Sequence, residues 1–334
     1  MIRIRSTELA LFALLALAVP QVQAQADKLP MSRTAGTVTL NLPAGKTTLV
    51  GLANVRIVAS GTVQAVEGAG LTLSSSPASL PDLLTAPHAL KIVSRANPTA
   101  NNAYGHSARI TAQSGQEVAA ALAVAPNVGD EFVVYELSRI ATVLGAANEV
   151  GLTGAATASA ADKVYLTENG VLVGYFYRTD VSQWRRIDDA DGANQGGTVI
   201  APGSGLMIVR LAGSDRSLRL SGDALPARHV AGVASGQNIV NNPFLVPTSL
   251  SASDIQSNIT GGTGPGVADI VYLEQNGLLT GYYFKTGGPG GTGWRALGDS
   301  VTDAGAALLM PAKAILFKEQ AGSAGFALPE PFAD

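Results

Sequence analysis

The run Asp188-Asp-Ala-Asp-Gly-Ala-Asn194 is the best place in this chain for a metal ion. Side-chain oxygens at alternate positions around a glycine turn are what Ca²⁺ takes, so Asp189, Asp191 and Asn194 are the expected ligands. The run lacks the bidentate glutamate that closes such loops, and a solvated turn is the competing reading. Two Trp-Arg pairs, Trp184-Arg185 and Trp294-Arg295, hold the only tryptophans. An exposed indole beside a guanidinium could stack on a sugar ring or contact a partner, and an internal cation–π pair would use the same atoms. Recurrence of the pair at equivalent places favours a shared core role.

Other chemistry finds little support in the residue pattern. His88, His106 and His229 are not spaced as metal ligands or flanked by a serine or carboxylate motif. There is no Gly-x-Ser-x-Gly elbow and no His-Glu-x-x-His. The glycine-rich stretch Gly287 to Gly293 lacks the Lys-Ser/Thr ending of a phosphate loop and reads as a plain connection. A glycosidase needs two positioned carboxylates, and no pair stands out. No catalytic residue is assigned, and no cofactor beyond calcium at the acidic loop.

The elements that must position these residues are two near-copies of one sentence. Val164-Tyr-Leu-Thr-Glu-Asn-Gly-Val-Leu-Val-Gly-Tyr-Phe-Tyr-Arg-Thr179 is repeated as Val271-Tyr-Leu-Glu-Gln-Asn-Gly-Leu-Leu-Thr-Gly-Tyr-Tyr-Phe-Lys-Thr286. Each has two apolar, aromatic-rich runs around an Asn-Gly pair, Asn169-Gly170 or Asn276-Gly277, the mark of a β-hairpin with a type I′ turn. A two-residue loop sets the register. Glu168 then faces Val171, Leu166 faces Val173 and Val164 faces Tyr175 on one side; Thr167 faces Leu172 and Tyr165 faces Gly174 on the other. Tyr272 falls opposite Gly281 in the second copy, and in both a tyrosine ring covers bare glycine backbone. The copies lie 107 residues apart at Val164, 110 at the tryptophans and 109 at Pro202, so insertions fall in the acidic and glycine-rich loops. A duplicated structural unit shows that pattern.

Upstream, Thr37 to Leu42, Thr48 to Val50, Val55 to Val58, Gly61 to Val66, Leu71 to Leu73, Ala89 to Val93, Ala108 to Ala112 and Glu131 to Glu136 read as strands from their alternation and turn punctuation. Short helices are expected within Leu137 to Gly145 and Ser249 to Ile255. The fold expected is all-β: an N-terminal β-sandwich or barrel-like domain over 27–145, then β units over 146–235 and 236–334, each built on its Asn-Gly hairpin. Residues 1–26, with Arg3, Arg5, an apolar stretch from Leu9 to Val19 and Ala24-Gln-Ala26, read as an export signal. No later run is apolar and long enough to cross a bilayer as a helix.

The chain has no cysteine, which removes disulfides, thiol nucleophiles and thiolate metal sites. Net charge is −3 and only 14% of residues are charged, against roughly a quarter in ordinary proteins. Nucleic acid, which requires a concentrated basic patch, is therefore not an expected partner. Low charge fits packing against copies of itself or against an envelope or matrix polymer. An outer-membrane barrel would require strands of about ten residues with aromatic girdles, and these runs are shorter.

In the duplicated Val-Tyr-Leu-x-x-Asn-Gly hairpin, the trailing Trp-Arg, the Asn238 to Phe244 opener and the Gly129-Asp130-Glu-Phe-Val strand, the chain resembles a family of exported conserved-hypothetical proteins that verrucomicrobial bacteria carry as many paralogues. That resemblance covers most of the mature chain. It implies export and a β-rich fold, and transfers no catalytic residue. The function expected is an exported, non-enzymatic structural or surface protein that self-assembles in the cell envelope or extracellular matrix. A carbohydrate-binding or adhesion module using the tryptophans is the first alternative, and a secreted hydrolase the second.

Overall fold

The computed structural model describes residues 35–52, 54–96, 103–225, 229–242, 246–320 and 326–328. The expected export signal lies outside the described residues. Strands β1 (Ala35–Leu42) and β2 (Thr47–Val50) come first. Then follow β3 (Asn54–Glu67), β4 (Gly70–Ser76), β5 (His88–Ser94), β6 (Ser107–Ser114), β7 (Glu117–Ala120) and β8 (Glu131–Glu136). A five-residue helix, α1 (Ile140–Leu144), leads to the hairpin β9 (Lys163–Glu168) and β10 (Val171–Arg178). Next are β11 (Gln183–Arg186), β12 (Leu206–Val209), β13 (Arg216–Ala224) and β14 (His229–Ala231). The last part holds β15 (Gly236–Val240), β16 (Thr248–Ser249), the hairpin β17 (Ile270–Gln275) and β18 (Leu278–Lys285), β19 (Gly293–Ala296), β20 (Leu308–Leu309), β21 (Ile315–Glu319) and β22 (Phe326–Leu328). The fold is all-β and antiparallel, as the alternation predicts. The helix expected over Ser249 to Ile255 is instead a turn followed by a single 3-10 turn, Ile255–Asn258.

Both hairpins close as their turn residues require. Asn169 and Gly170 take φ of 50° and 77°, and Asn276 and Gly277 take 54° and 78°, the left-handed region that Asn and Gly enter most cheaply. The pairing of β9 with β10 matches the expected register at every position, including Tyr165 opposite Gly174. Tyr272 lies opposite Gly281 in the same way. A Cβ on Gly174 would come within 2.4 Å of Ile187 and 3.0 Å of the Tyr165 ring, and one on Gly281 would meet Leu297 and Tyr272 at 2.4 and 2.9 Å. Each glycine is thus a cradle for the tyrosine ring and the side chain beyond it.

Each hairpin is the core of a five-stranded sheet. The orders are β11-β10-β9-β12-β2 and β19-β18-β17-β21-β15, which superpose strand for strand. Their registers agree too: Met207 pairs with Tyr165 and Leu49, as Leu316 pairs with Tyr272 and Ile239. The first sheet therefore takes its edge strand, β2, from far upstream, and β3 to β8 are inserted between that strand and the rest of the unit. Strand β1 likewise pairs with β13 along its whole length. Strands of the 27–145 segment and of the 146–235 segment thus share sheets.

The two sheets face one another. Leu49, Met207, Tyr165 and Leu172 of the first meet Ile239, Leu316, Tyr272 and Leu279 of the second in one apolar layer. Fully burying a side chain of this size contributes roughly 1.5–3 kcal/mol. Paired backbone bonds join the sheets in a two-fold pattern: Asn241 donates to the Gly203 carbonyl at 2.8 Å, and Gly51 donates to the Ala312 carbonyl at 2.7 Å. Behind the first sheet, Val164, Leu166, Tyr175 and Leu206 pack under Leu40, Leu42, Leu218 and Leu220 of the β1–β13 ribbon. Behind the second, Val271, Leu273, Tyr282 and Phe317 pack with Leu250, Ile255 and Leu328.

The inserted strands close on themselves in the order β3-β4-β7-β6-β5-β8, with β8 returning to β3. This six-stranded barrel has no free edge of its own. Its interior holds Val63, Leu71, Leu90, Ile92, Ile110 and Phe132. Val55, Ile57, Ala89, Val133 and Tyr135 on its outer surface form a second cluster with Val199 and Leu225, so β5 is buried on both faces.

Candidate functional sites

The Trp-Arg pairs are part of the core. Trp184 on β11 lies opposite Tyr177, and Trp294 on β19 opposite Phe284. The ring centroids are 5.5 and 5.6 Å apart at interplanar angles of 70° and 75°, the edge-to-face arrangement that aromatic quadrupoles favour. Both indoles are 1% exposed, and Arg185 and Arg295 are buried as well. Trp184, Arg185, Trp294 and Arg295, the residues that could contact a ligand, lie in the core, and neither indole is open to a sugar. The Trp184 Nε1–H donates to the Gly145 carbonyl at 2.9 Å. Arg295 gathers the glycine-rich loop, donating to the carbonyls of Trp294 at 2.7 Å, Gly291 at 3.2 Å and Gly290.

The acidic loop is closed by guanidinium groups. Arg186 forms a two-pronged pair with Asp188, both contacts at 2.9 Å. Arg178 binds Asp180 the same way, donates to the Ala190 carbonyl at 2.9 Å and pairs with Asp191. These arginines hold the Asp180 and Asp188 carboxyls below their ordinary range. The Asn194 side-chain oxygen accepts the Gly196 N–H at 2.9 Å, and the Asp189 carboxylate lies where a Cβ on Gly192 would be, 2.0 Å away. Asp189, Asp191 and Asn194 thus lie in one turn, where Asp191 is engaged by Arg178 and Asn194 by the Gly196 N–H. Among the described residues no group of three His, Asp or Glu side chains is arranged to hold a metal ion. In the second unit the buried Lys285 takes the place of Arg178, donating to Ser300 at 2.8 Å and to Pro289. Asp299 there accepts the N–H groups of Val301 and Thr302, both at 3.0 Å, and these bonds lower its carboxyl to about 2.

A basic cluster at the barrel surface escaped the sequence reading. Lys91, in the middle of the apolar run of β5, is 1% exposed, and burial lowers its ammonium to about 7. It pairs across the barrel with Ser107 on one side and Val133 on the other. His229 is 2% exposed and its imidazole is lowered to about 3, first by burial and then by the nearby Lys91 charge, with His106 adding a little. Its Nε2 sits 3.1 Å from the Gly203 carbonyl, and a Cβ on Gly203 would strike the ring at 2.4 Å. Tyr135 is buried beside the Ser107 hydroxyl, and burial raises its phenol to about 12. It borders a cavity of about 20 Å³, room for one water. A neutral lysine can act as a base or nucleophile, yet this one is sealed between barrel and body. The signal was a lysine between residues that alternate onto both buried faces of one strand.

A groove of about 1080 Å³ is walled by Asn41 and Pro43 at the end of β1 and by the second hairpin tip, with Tyr282, Leu308 and Met310 among its lining. At its polar edge Glu274 accepts the Gly277 N–H at 2.7 Å and pairs with Lys313. In the first unit the equivalent positions are occupied. Glu168 accepts the Tyr175 hydroxyl at 2.6 Å and lies 3.5 Å from Arg186, while Val199 packs into the outer barrel cluster. The second unit has Gln275 in place of Glu168 and Ala296 in place of Arg186, and no barrel covers it. Leu308 and Met310 are accordingly 43% and 41% exposed.

No family model, curated protein or solved structure matches the chain.

Proposed function

We propose that this chain is an exported, non-enzymatic structural or surface protein that associates with copies of itself in the cell envelope or extracellular matrix, in keeping with the exported family it resembles. The observation that carries the reading is how the chemistry-bearing side chains are spent. Both tryptophans and their arginines are buried, Arg178 and Arg186 hold the acidic loop, and Lys91 and His229 lie in the interior. What remains for a partner is a surface low in charge, with an open apolar groove and a strand edge. Such surfaces recognise polypeptide better than ions or sugars. With both indoles in the core, a carbohydrate-binding reading through Trp184 and Trp294 has lost its support.

Light scattering on the mature chain, from Asp27 onward, across a wide concentration range tests this. A species of more than one chain, whose share rises with concentration, is expected, and negative-stain images should show it. A strictly monomeric species at the highest attainable concentration overturns the reading.

A further inference from the structure

We propose that two copies of this chain associate edge to edge through β1, antiparallel, about a two-fold axis. The proposal rests on the self-association reading above and names the surface that performs it.

Strand β1 is the terminal strand of its sheet, with β13 on one side and no described strand on the other. Its eight residues span about 27 Å at the usual rise per residue. Among the described residues, the edges of the two five-stranded sheets each carry a backbone bond from outside the sheet. The Gly170 carbonyl takes the N–H of Gln237 on β15, the Gly277 carbonyl takes that of Thr47 on β2, and the carbonyls of Trp184 and Trp294 receive Gln195 and Ala304. The barrel is closed. Free edges in monomeric proteins carry lysine, proline or a bulge to prevent pairing. The β1 sequence Ala-Gly-Thr-Val-Thr-Leu-Asn-Leu carries none of these, and its ladder with β13 runs without a break.

The strand is also complementary to itself, which selects a second copy as the occupant. Thr37, Thr39 and Asn41 face solvent, while Leu40 and Leu42 are buried and Val38 half-buried in the core beneath. Antiparallel pairing centred on Thr39 extends the apolar row of one copy with that of the other, sets Thr39 against its own counterpart and sets Thr37 against Asn41. No like charges are brought together, because the strand has no charge. Such a contact is isologous and closes at two chains. Where β1 ends, Asn41 and Pro43 form a wall of the groove holding Leu308 and Met310, which offers apolar surface to whatever lies beyond the edge.

The chain has no cysteine, so single introduced cysteines report contacts cleanly. Thr37→Cys, Thr39→Cys and Asn41→Cys in the mature chain, oxidised mildly, should give a disulfide-linked dimer for at least one position, while Thr111→Cys on the exposed barrel surface gives none. A Thr37→Lys, Thr39→Lys double variant with unchanged circular dichroism should halve the light-scattering mass of the two-chain species. If the chain assembles but no β1 cysteine cross-links, the seam is overturned and the self-association reading stands. A monomer with no cross-link overturns both, and cross-linking in producing cells to a different protein overturns self-pairing.

Discussion

The carbonyl of Gly170, at the bend of the first hairpin, accepts the backbone N–H of Gln237 on β15 at 2.7 Å, and the Gly277 carbonyl accepts that of Thr47 on β2 at 3.2 Å. Each hairpin tip thereby docks on the edge strand of the other sheet. The two tips differ in what crowds them. A Cβ on Gly170 would lie 1.9 Å from the Ser235 carbonyl oxygen, whereas one on Gly277 meets the Lys46 side chain at 2.5 Å. Gly277→Ala should cost about 1–3 kcal/mol for its positive φ, plus a shift of the Lys46 Cβ, which moves only with its own backbone. Gly170→Ala should cost about 1 kcal/mol more, because its contact is closer and is with a carbonyl oxygen of the main chain. Urea midpoints of the two variants, compared with the parent, check the order.

Asp162 and Asp269 anchor equivalent loops with unequal electrostatics. Asp162 accepts the N–H groups of Thr153 and Leu211, both at 2.7 Å, and also holds buried Arg210 at 3.1 Å. Asp269 accepts Thr260 at 2.7 Å and Gln320 at 2.8 Å, and Glu319 stands where the first unit has Arg210. Asp162→Asn leaves a buried cation without its anion and should cost about 3–5 kcal/mol. Asp269→Asn loses one acceptor and should cost about 1–2 kcal/mol. Denaturant titration of both variants gives the difference, and equal losses would contradict it.

The tryptophans report on the core. With both indoles 1% exposed, emission should be blue-shifted and poorly quenched by acrylamide, and it should be unmoved by added oligosaccharides. Trp184→Phe strands the Gly145 carbonyl that the indole N–H satisfies. Among the described residues the Trp294 N–H has no hydrogen-bond partner. Trp184→Phe should therefore be more destabilising than Trp294→Phe by about 1 kcal/mol, measured by chemical denaturation.

Two buried bases set the pH profile of stability. The His229 imidazole is near 3 when folded against 6.5 ordinarily, and Lys91 near 7 against 10.5. Between each pair of values the unfolded chain holds the extra proton, so stability rises with pH from about 3 to 6.5 and again from about 7 to 10.5. Melting temperatures across these windows should climb. His229→Gln should flatten the first rise and Lys91→Met the second; a parent curve level over pH 7–10 would sink the assignment.

The parts of the fold legible in the residues were those governed by neighbours along the chain. Asn-Gly at the bends selected the turn, the two-residue loop set the register from Val164–Tyr175 to Tyr165–Gly174, and the repeated sentence revealed the duplication. At the sites, local chemistry left two readings open. Asp189 and Asp191 look like ligands until Arg178 and Arg186 are seen folding over their loop, and Trp294-Arg295 looks like a sugar platform until Phe284 is placed against its edge.

By itself the sequence determined which segments alternate, where they bend and that two units match, because backbone sterics and period-two patterning act within a few residues. Only the tertiary structure decided that β2, four residues with no local mark of partner, closes the first sheet; that the two sheets meet through Leu49, Ile239 and their neighbours; and that β5 is covered on both faces, so that Lys91 lies in the interior. Those outcomes depend on contacts between residues far apart in the chain, and an apolar face states that it must be buried without stating against what.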